Sequence, residues 1–362
     1  MLPKAGEVAL DRPQTPLAAA QYRLQATSPT SPASRPDMPG WTRFATVAER
    51  AGIESVLISF SRYEPDPFMA ACALGLATPN LKFIAAYRSG LMLPATFVQQ
   101  LNSISAFLPG RIALNIVAGS STAEQRVYGD YLPHDERYAR AEEFLAVCNA
   151  FWRGIGEVDY DGRYYQVQAG KVHTPFLPRE RRGPEIYISG HSENAERLAL
   201  AHGSCLLRVA DGPAKLKDSI ARLRQRGIEV CLRACVVCRP SREQAIAVAQ
   251  SLLPEPTSID HVKSMAARDD SHMYRAAAEL PGNGNHWATP SLWTGLAPYY
   301  GPVWTTLLGA PGDISDAILE YRALGVTQFI LSGWPELDEV SRFGEEVIPL
   351  VRQAERRIDT LA

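Results

Sequence analysis

A polar loop lies between a strand-like run and a helix-like run in residues 115–144, NIVAGSSTAEQRVYGDYLPHDERYARAEEF. The apolar start, NIVAG, predicts a buried strand, and a helical pattern begins at HDERY. Many hydrogen-bonding side chains stand between the two. Loops that follow parallel strands carry the chemistry of α/β enzymes, so this stretch is the first candidate for a functional site.

A second candidate is the turn Gly190-His191-Ser192, which follows the strand-like run EIYISG and opens the helix-like run SENAERLALAHG. The first N–H groups of a helix have no partner within the helix, and together with the helix dipole they favour a phosphate. Serine is also a common N-cap residue. The turn therefore predicts either a phosphate site or an ordinary helix cap at Ser192.

Three of the six cysteines, Cys231, Cys235 and Cys238, lie close enough together to raise the question of a zinc site. They fall in a strand-like run, EVCLRACVVC, where alternation points Cys231 and Cys235 to one face and Cys238 to the other. No histidine lies nearby to complete a tetrahedral set of ligands. The sequence therefore favours buried thiols over metal ligands.

The composition is that of an ordinary globular protein, with 362 residues, 46% hydrophobic, 21% charged and a net charge of -2. This balance gives no basic patch for nucleic acid and no polybasic membrane signal. No apolar run reaches the roughly 20 residues of a membrane helix. The N-terminal residues MLPKAGEVALDRPQTP lack the apolar core of a signal peptide. We therefore expect a cytoplasmic protein without nucleic-acid or membrane partners.

Eight strand-like runs alternate with helix-like runs, and several of the strand-like runs are almost continuously apolar, as in strands buried on both faces. The predicted strands are residues 21–27, 54–60, 81–87, 111–119, 185–190, 204–209, 229–238 and 328–333. The alternation predicts an α/β fold, a (β/α)₈ TIM barrel. A doubly wound sheet is the alternative, but no G-x-G-x-x-G follows the first strand, which weakens a dinucleotide-binding interpretation.

Two segments interrupt the alternation. Residues 153–183 contain VDYDGRYYQV, which predicts a small hairpin with Asp161-Gly162 at its turn. Residues 254–311 are rich in Pro, Gly, His and Trp, and an insertion of this length after the seventh strand predicts a lid or mobile loop. The predicted organisation is a flexible tail over 1–20, one barrel domain over 21–355 and a C-terminal tail over 356–362.

Four motifs together resemble the bacterial luciferase-like flavin monooxygenases: GRIALNIVAGSS, the HDERY helix start, IYISGHSENA and FILSGWPELDEVSRFGEEVIPLV. In detail they look most similar to the alkanesulfonate monooxygenases, and the resemblance runs from about residue 21 to about residue 355. It implies a barrel with reduced FMN at the C-terminal ends of the strands. It also implies a separate flavin reductase that supplies the cofactor, and a homodimer or homotetramer.

The resemblance implies residues that contact FMN around the HDERY helix. Asn115 would lie near the isoalloxazine, and Tyr138 would reach the phosphate or the ribityl chain. His134 matches the histidine that stands before ERY in the family, although Pro133 replaces the Asp that often precedes it. Each position has a plainer alternative: a buried residue bonded to backbone for Asn115, a core residue for Tyr138, and a helix start for His134.

The turn Gly190-His191-Ser192 matches the phosphate-binding turn of the resembled family. Two serines usually stand there, and here the first is His191. Ser192 is therefore the expected phosphate contact, with a plain helix cap as its alternative.

The positions that the resembled enzymes use for a sulfonate have changed in this chain, which argues against a simple alkanesulfonate substrate. A Cys after the second strand corresponds to Glu64, and an Arg-x-His pair on the seventh strand corresponds to Arg233 and Cys235. An Arg of the lid falls near Tyr300, and a Tyr after the eighth strand falls at Trp334. A sulfonate is a permanent anion that needs fixed cations, and two of these are lost.

The changed positions still suggest chemical roles. Arg233 is expected to stabilise the anion that forms when reduced flavin reacts with O₂. Cys235 cannot match histidine as a general base near neutral pH and is expected to shape the pocket. Glu64 is either a base or amine ligand, or an exposed or ion-paired carboxylate. Tyr300 and Trp334 suit a larger, more apolar or cationic substrate, unless they only pack the lid.

The sequence thus predicts a two-component monooxygenase that uses reduced FMN and O₂ to oxidise an organic small molecule. A deazaflavin-dependent oxidoreductase is the first alternative, because related barrels use that cofactor. A non-catalytic flavin-binding member of the family is the second, because several polar positions are lost.

Overall fold

Parallel strands and helices alternate through the part of the chain that the computed structural model describes, which comprises residues 5–7, 38–62, 65–119, 121–154, 156–253, 277, 286–333 and 336–361. The strands are β1 (Ala5–Glu7), β2 (Ser55–Ile58), β3 (Lys82–Tyr87), β4 (Ile112–Val117), β5 (Val158–Asp161), β6 (Gln166–Gly170), β7 (Ile186–Ser189), β8 (Cys205–Val209), β9 (Glu229–Cys238), β10 (Leu292–Trp293), β11 (Thr306–Gly309) and β12 (Gln328–Gly333). Seven of the eight predicted strands lie at their predicted places, and the predicted strand at 21–27 lies outside the described residues.

The helices complete the alternation. They are α1 (Met38–Arg50), α2 (Pro67–Gly75), α3 (Pro94–Phe107), α4 (Thr122–Val127), α5 (His134–Arg153), α6 (Glu193–His202), α7 (Pro213–Gln225), α8 (Arg242–Ser251), α9 (Ala297–Tyr300), α10 (Pro311–Ala323), α11 (Glu336–Arg342) and α12 (Ile348–Leu361). Short 3₁₀ and π turns lie at Pro302–Trp304 and Phe343–Val347. The C-terminal tail predicted over 356–362 is helical up to Leu361, because the amphipathic pattern of α12 continues through it.

Local sequence explains where these elements begin. β2 is the apolar run SVLI, and all four of its side chains are buried. Proline stands in the first turn of α2, α3, α7 and α10, where its missing N–H removes no helical hydrogen bond. Asp66 caps α2 by accepting hydrogen bonds from the N–H groups of Phe68 (2.9 Å) and Met69 (3.0 Å).

The chain divides into two compact units, which we call the central unit (Leu57–Leu207) and the terminal unit (Met1–Val56 with Arg208–Ala362). In the central unit β3, β4 and β7 are parallel neighbours, and Asn115 of β4 is aligned with Ala86 of β3 and Tyr187 of β7. Aligned residues of parallel strands point to the same face, and alternate residues along a strand share that face. Ser189 and Arg88, each two residues further along, therefore lie on the face of Asn115, at the carboxyl ends of the strands.

The opposite face of this sheet carries the apolar core of the central unit. Tyr87 stacks on Phe97 of α3, with ring centroids 4.2 Å apart, and on Phe144 of α5, at 5.7 Å. All three rings are almost fully buried. The packing fixes α3 and α5 against β3, so the N-terminus of α5 is held close to the strand ends.

The predicted hairpin is confirmed as the antiparallel pair β5–β6. Its loop is four residues long, 162–165, and the Gly162 N–H donates to the Tyr165 carbonyl (2.9 Å). Glu143 of α5 accepts hydrogen bonds from three consecutive loop amides, those of Arg163 (3.0 Å), Tyr164 (2.8 Å) and Tyr165 (3.3 Å). The Glu143 carboxylate therefore holds the loop of the hairpin against α5 through hydrogen bonds from the loop backbone.

The terminal unit contains the strands at the two ends of the chain. β12 is parallel to β1 on one side and to β9 on the other, and β9 also pairs with β11. β1 lies within residues 1–20, where the sequence predicts a flexible tail. Ala5-Gly6-Glu7 has no β-branched or aromatic residue, so this strand depends on backbone pairing that local sequence does not reveal.

The described part of the predicted insertion, residues 286–311, is packed. It forms β10, α9 and β11, and β10 is antiparallel to β11. Trp293, Tyr299 and Trp304 in this segment are buried. The sequence did not predict these two strands, because they are short and their apolar residues are interleaved with Gly and Pro.

Candidate functional site

The carboxyl end of β4 presents a buried amide. Asn115 is buried, and its side-chain oxygen accepts a hydrogen bond of 2.6 Å from the Ser189 hydroxyl of β7. The partner of Asn115 is thus a side chain on the neighbouring strand, rather than the backbone that the plainer alternative predicted. The hydrogen bond joins the ends of two strands and leaves the Asn115 amide nitrogen on the same face.

Arg137, within the HDERY element, fixes the loop that follows β4. Its guanidinium donates to three carbonyl oxygens, those of Ala118 (2.8 Å), Gly119 (3.1 Å) and Leu132 (2.8 Å). Arg137 is almost fully buried, so these hydrogen bonds form in an environment with little competing water. The arginine therefore ties the strand end to the start of α5, and sequence reasoning did not single it out.

The first turns of α5 carry the other two residues that the motif predicts. His134 and Tyr138 are four residues apart on the helix, and their rings meet edge to face with centroids 5.2 Å apart. The Tyr138 ring is buried, and its hydroxyl lies close to the Ser192 hydroxyl. Burial raises the pKa of the Tyr138 hydroxyl, and the neighbouring Ser192 hydroxyl offsets only part of this rise. Tyr138 therefore stays protonated near neutral pH and can donate a hydrogen bond.

The turn between β7 and α6 comes close to Tyr138. Ser192 caps α6 by accepting a hydrogen bond from the Ala195 N–H (3.2 Å), which confirms the predicted helix cap. A Cβ atom added at Gly190 would lie 2.8 Å from the Tyr138 hydroxyl and 2.5 Å from the Ala195 Cβ. Only glycine lets Ala195 and Tyr138 pack this closely against the turn. His191 is half-buried within the same turn.

The sequence-predicted cofactor residues therefore form one cluster in the central unit. It joins the ends of β4 and β7 to the first turns of α5 and α6, and we call it the strand-end cluster. Its members are Asn115, His134, Tyr138, Ser189, Gly190, His191 and Ser192. Three hydroxyls, one amide and the first N–H groups of a helix suit a ligand that combines a phosphate with polar ring edges.

Arg88 is a further residue at these strand ends that sequence reasoning missed. It follows β3 directly and is buried, with 6% of its surface exposed. Its Nη2 donates to the Glu124 carboxylate of α4, which also accepts from the Arg62 N–H (2.9 Å). The only signal in the sequence is an arginine at a strand end, and many such residues are surface charges.

The residues predicted for catalysis fall into two groups. Arg233 and Cys235 lie on β9, and Tyr300 ends α9, all within the terminal unit. Arg233 is half-buried, and its carbonyl accepts a hydrogen bond from the Ala210 N–H (2.9 Å). Glu64 and Trp334 lie outside the described residues.

Cys235 and Tyr300 belong to one buried apolar cluster. The Cys235 thiol donates to the Val303 carbonyl (3.5 Å), and the Tyr300 ring lies 4.8 Å from the Trp304 ring. This environment favours the alternative in which both side chains pack the segment. Cys231 and Cys238, like Cys235, are buried free thiols.

Metal binding and membrane insertion are two further possibilities for the described residues. No group of three or more His, Cys, Asp or Glu side chains among them is arranged to hold a metal ion. Among the described helices, none combines the length and the apolarity that crossing a bilayer requires.

Comparison with known proteins adds a family match and structural likenesses. The model of the luciferase-like monooxygenase family matches residues 19–328. The chain is similar to the structure of an EDTA monooxygenase from Chelativorans sp. BNC1, with a TM-score of 0.74 and 18% identity over 97% of this chain and 93% of that chain. It is also similar to a long-chain alkane monooxygenase, with a TM-score of 0.70 and 19% identity over 88% of this chain and 85% of that chain.

A third likeness is to an F420-dependent secondary alcohol dehydrogenase, with a TM-score of 0.63 and 18% identity over 88% of this chain and 96% of that chain. At such identities the likeness concerns the fold, and it confirms the predicted α/β class, a (β/α)₈ TIM barrel. The resemblance to the alkanesulfonate monooxygenases in particular stays a prediction. Because the family model covers most of its length, this chain belongs to the luciferase-like monooxygenase family.

Proposed function

We propose that this protein is a monooxygenase that uses reduced FMN and O₂ to oxidise an organic small molecule. Membership of the luciferase-like monooxygenase family supports the type of reaction. The observation that carries the choice of cofactor is the strand-end cluster, where the hydroxyls of Tyr138 and Ser192 lie together at the helix start beside Gly190. Hydroxyl donors at a helix N-terminus with a side-chain-free approach are what a phosphate ester requires.

The strand-end cluster would hold FMN through several of its groups. The hydroxyls of Ser192 and Tyr138, with the first N–H groups of α6, would bind the phosphate, and His134 would contact the same end of the cofactor. The Asn115–Ser189 pair would face the ring. When bound, reduced FMN supplies the two electrons with which one atom of O₂ enters the substrate and the other leaves as water.

Side chains of this chain would orient the cofactor and control charge. Arg137 positions the start of α5, and so Tyr138, through its three carbonyl contacts. Arg233 is the proposed cation for negative charge that develops on oxygen, since a fixed charge in a half-buried site acts more strongly than one in water. Cys235 and Tyr300 would shape the surrounding packing without exchanging protons.

We further propose a substrate other than a simple alkanesulfonate. The predicted sulfonate positions at Cys235 and Tyr300 carry no permanent positive charge and lie in an apolar cluster. A separate flavin reductase and a homo-oligomer are also proposed, and both rest on the family resemblance.

Anaerobic titration tests the cofactor proposal. Intrinsic Trp fluorescence would follow the binding of reduced FMN, oxidised FMN and a deazaflavin. We expect the tightest binding for reduced FMN, and O₂-dependent turnover once a reductase and a substrate screen are added. Tighter binding of the deazaflavin would instead support hydride transfer without O₂. Binding of reduced FMN without turnover of any substrate would support the non-catalytic alternative.

A matched pair of variants tests the assigned phosphate contact. Ser192→Ala and Ser241→Ala each remove an N-cap hydroxyl, from α6 and α8, which accepts a helix N–H at 3.2 and 3.3 Å respectively. Both should lose about 1 kcal/mol of stability. Only Ser192→Ala should weaken FMN binding, by about tenfold, because only Ser192 lies in the strand-end cluster. Equal FMN affinity in the two variants would show that Ser192 does not contact FMN.

A further inference from the structure

The guanidinium of Arg88 is incompletely satisfied. Its Nη2 donates to Glu124, whereas Nε and Nη1 have no acceptor within the described part of the chain. Both nitrogens are shielded from solvent, and Arg88 is 6% exposed. Buried donors without acceptors are costly, and the cost is greater for charged groups. Such donors at a strand end point to a ligand that satisfies them.

Aromatic rings line the guanidinium and limit how a ligand can approach it. The centre of the Arg88 guanidinium lies 4.9 Å from the centroid of Phe60 and 5.7 Å from that of Tyr128. These two rings contact each other, with centroids 5.3 Å apart. Rings attract the cation through their faces and give no acceptor within the guanidinium plane. A partner for Nε and Nη1 must therefore come in that plane.

The end of β4 comes close to the guanidinium. A Cβ atom added at Gly119, just past the end of β4, would lie 3.5 Å from Arg88 Nε, and it would collide with the Gln125 carboxamide, whose Nε2 would be 1.5 Å away. Gly119 has a φ of +81°, which a residue with a side chain rarely adopts. By the strand register, Arg88 shares its face of the sheet with Asn115 and Ser189. The unused donors thus lie at the same strand ends as the strand-end cluster.

We propose that Arg88 is a ligand-recognition residue, whose Nε and Nη1 groups bind an anionic acceptor at the carboxyl ends of β3 and β4. The proposal rests on the proposed flavin-dependent function. Two sources provide this chemistry: the N1–C2=O edge of anionic reduced flavin, and a carboxylate on the organic substrate. Glu124 lowers the affinity of Arg88 for a second anion, because its negative charge offsets the charge of Arg88.

The test uses the full chain and four variants. Arg88→Gln removes the charge and the donor geometry, and Arg88→Lys keeps the charge but loses the planar donor set. Glu124→Gln removes the offsetting charge and retains an acceptor oxygen for the Arg62 N–H. Arg181→Gln is the matched control, since Arg181 pairs with Glu185 (3.1 Å) at a partly exposed position. Anaerobic titrations measure reduced FMN, oxidised FMN and benzoate, which serves as the carboxylate probe.

The results separate the two sources. If the acceptor is the reduced flavin, Arg88→Gln weakens the binding of reduced FMN about tenfold or more and changes the affinity for oxidised FMN by less than about twofold. If the acceptor is a substrate carboxylate, Arg88→Gln binds both flavin forms as tightly as the wild type does. Benzoate then binds to the wild type and no longer binds to Arg88→Gln. In either case the ligand whose binding is weakened in Arg88→Gln should bind Arg88→Lys with intermediate affinity and Arg181→Gln as it binds the wild type. It should bind Glu124→Gln more tightly than the wild type.

Other results overturn the proposal. Unchanged affinities for all three ligands in Arg88→Gln, or an equal loss of both flavin forms, would leave Arg88 with a structural role. If Arg88→Gln does not fold, Glu124→Gln decides, because a structural ion pair predicts weaker binding in that variant and the proposal predicts tighter binding. Wild-type protein that binds neither flavin would contradict the proposed function, whereas normal wild-type binding with insensitive Arg88 variants would contradict this inference alone.

Discussion

Glu339 of α11 is a buried carboxylate whose ionisation should make folding stability depend on pH. It is 3% exposed, and it accepts hydrogen bonds from the Cys238 N–H (2.5 Å) and from Arg239 Nη1 (2.7 Å). Burial raises the pKa of Glu339 from the ordinary 4.5 to about 7, although the hydrogen bonds and the charges of Arg239 and Arg342 act in the opposite direction. The fold therefore favours the neutral acid.

The sign and size of the effect follow from this pKa. Because the folded-state pKa exceeds the unfolded value, the stability contribution is fully present below pH 4.5 and is lost as the pH rises through 7. At roughly 1.4 kcal/mol for each pH unit, the whole loss is about 3 kcal/mol. Since some of the loss already occurs below pH 5, roughly 2 to 3 kcal/mol remains between pH 5 and pH 8.

Urea unfolding at several pH values between 5 and 8 measures this loss. Glu339→Gln keeps an oxygen that accepts from the Cys238 N–H and cannot ionise. We expect the free energy of unfolding of the wild type to fall by roughly 2 to 3 kcal/mol more than that of Glu339→Gln across this range. Glu157→Gln is the control, because Glu157 is an exposed carboxylate paired with Lys171 (2.7 Å), and its curve should run parallel to the wild type.

Parallel curves for wild type and Glu339→Gln would refute the reasoning. They would mean that the Arg239 charge fully compensates the burial of the carboxylate, and that Glu339 is ionised throughout the range. A steeper fall in Glu339→Gln than in the wild type would contradict the predicted sign.

Three further predictions concern the central unit. Gly190→Ala should weaken FMN binding at least about tenfold, because the added Cβ would lie 2.8 Å from the Tyr138 hydroxyl, and calorimetry would show it. Arg137→Ala should cost about 3 kcal/mol in urea unfolding, since three partly buried carbonyls lose their donor; a change below about 1 kcal/mol would contradict its positioning role. Glu143→Gln should speed amide hydrogen exchange at residues 163–165 about tenfold or more, because one amide oxygen replaces two acceptor oxygens, and unchanged exchange would exclude this contact.

Sequence motifs predicted individual members of the strand-end cluster, but not the contacts between them. Tyr138 and Ser192 were both predicted from local sequence, each with two open interpretations. The structure shows that Ser192 is an N-cap and that its hydroxyl lies close to that of Tyr138, whereas the phosphate contact stays a prediction. These residues are 54 positions apart in the chain, and no local pattern records that they meet.

The two buried arginines mark the limit of that reasoning. Arg137 and Arg88 have sequence contexts that also fit exposed charges, because arginine is usually found at the surface. Their importance comes from burial and from partners, which are backbone carbonyls for Arg137 and Glu124 for Arg88. Both depend on the folded arrangement of segments that are separated in the chain.

The sequence by itself determined the alternation of strands and helices, the hairpin and the family. Each of these follows from hydrophobic period, turn residues or short motifs, which are properties of neighbouring residues. The tertiary structure decided that β1 pairs beside β12, that residues 286–311 are packed, and that Cys235 lies in an apolar cluster with Tyr300. It also decided which polar groups share the strand ends, because burial and hydrogen-bond partnership arise only when distant segments come together.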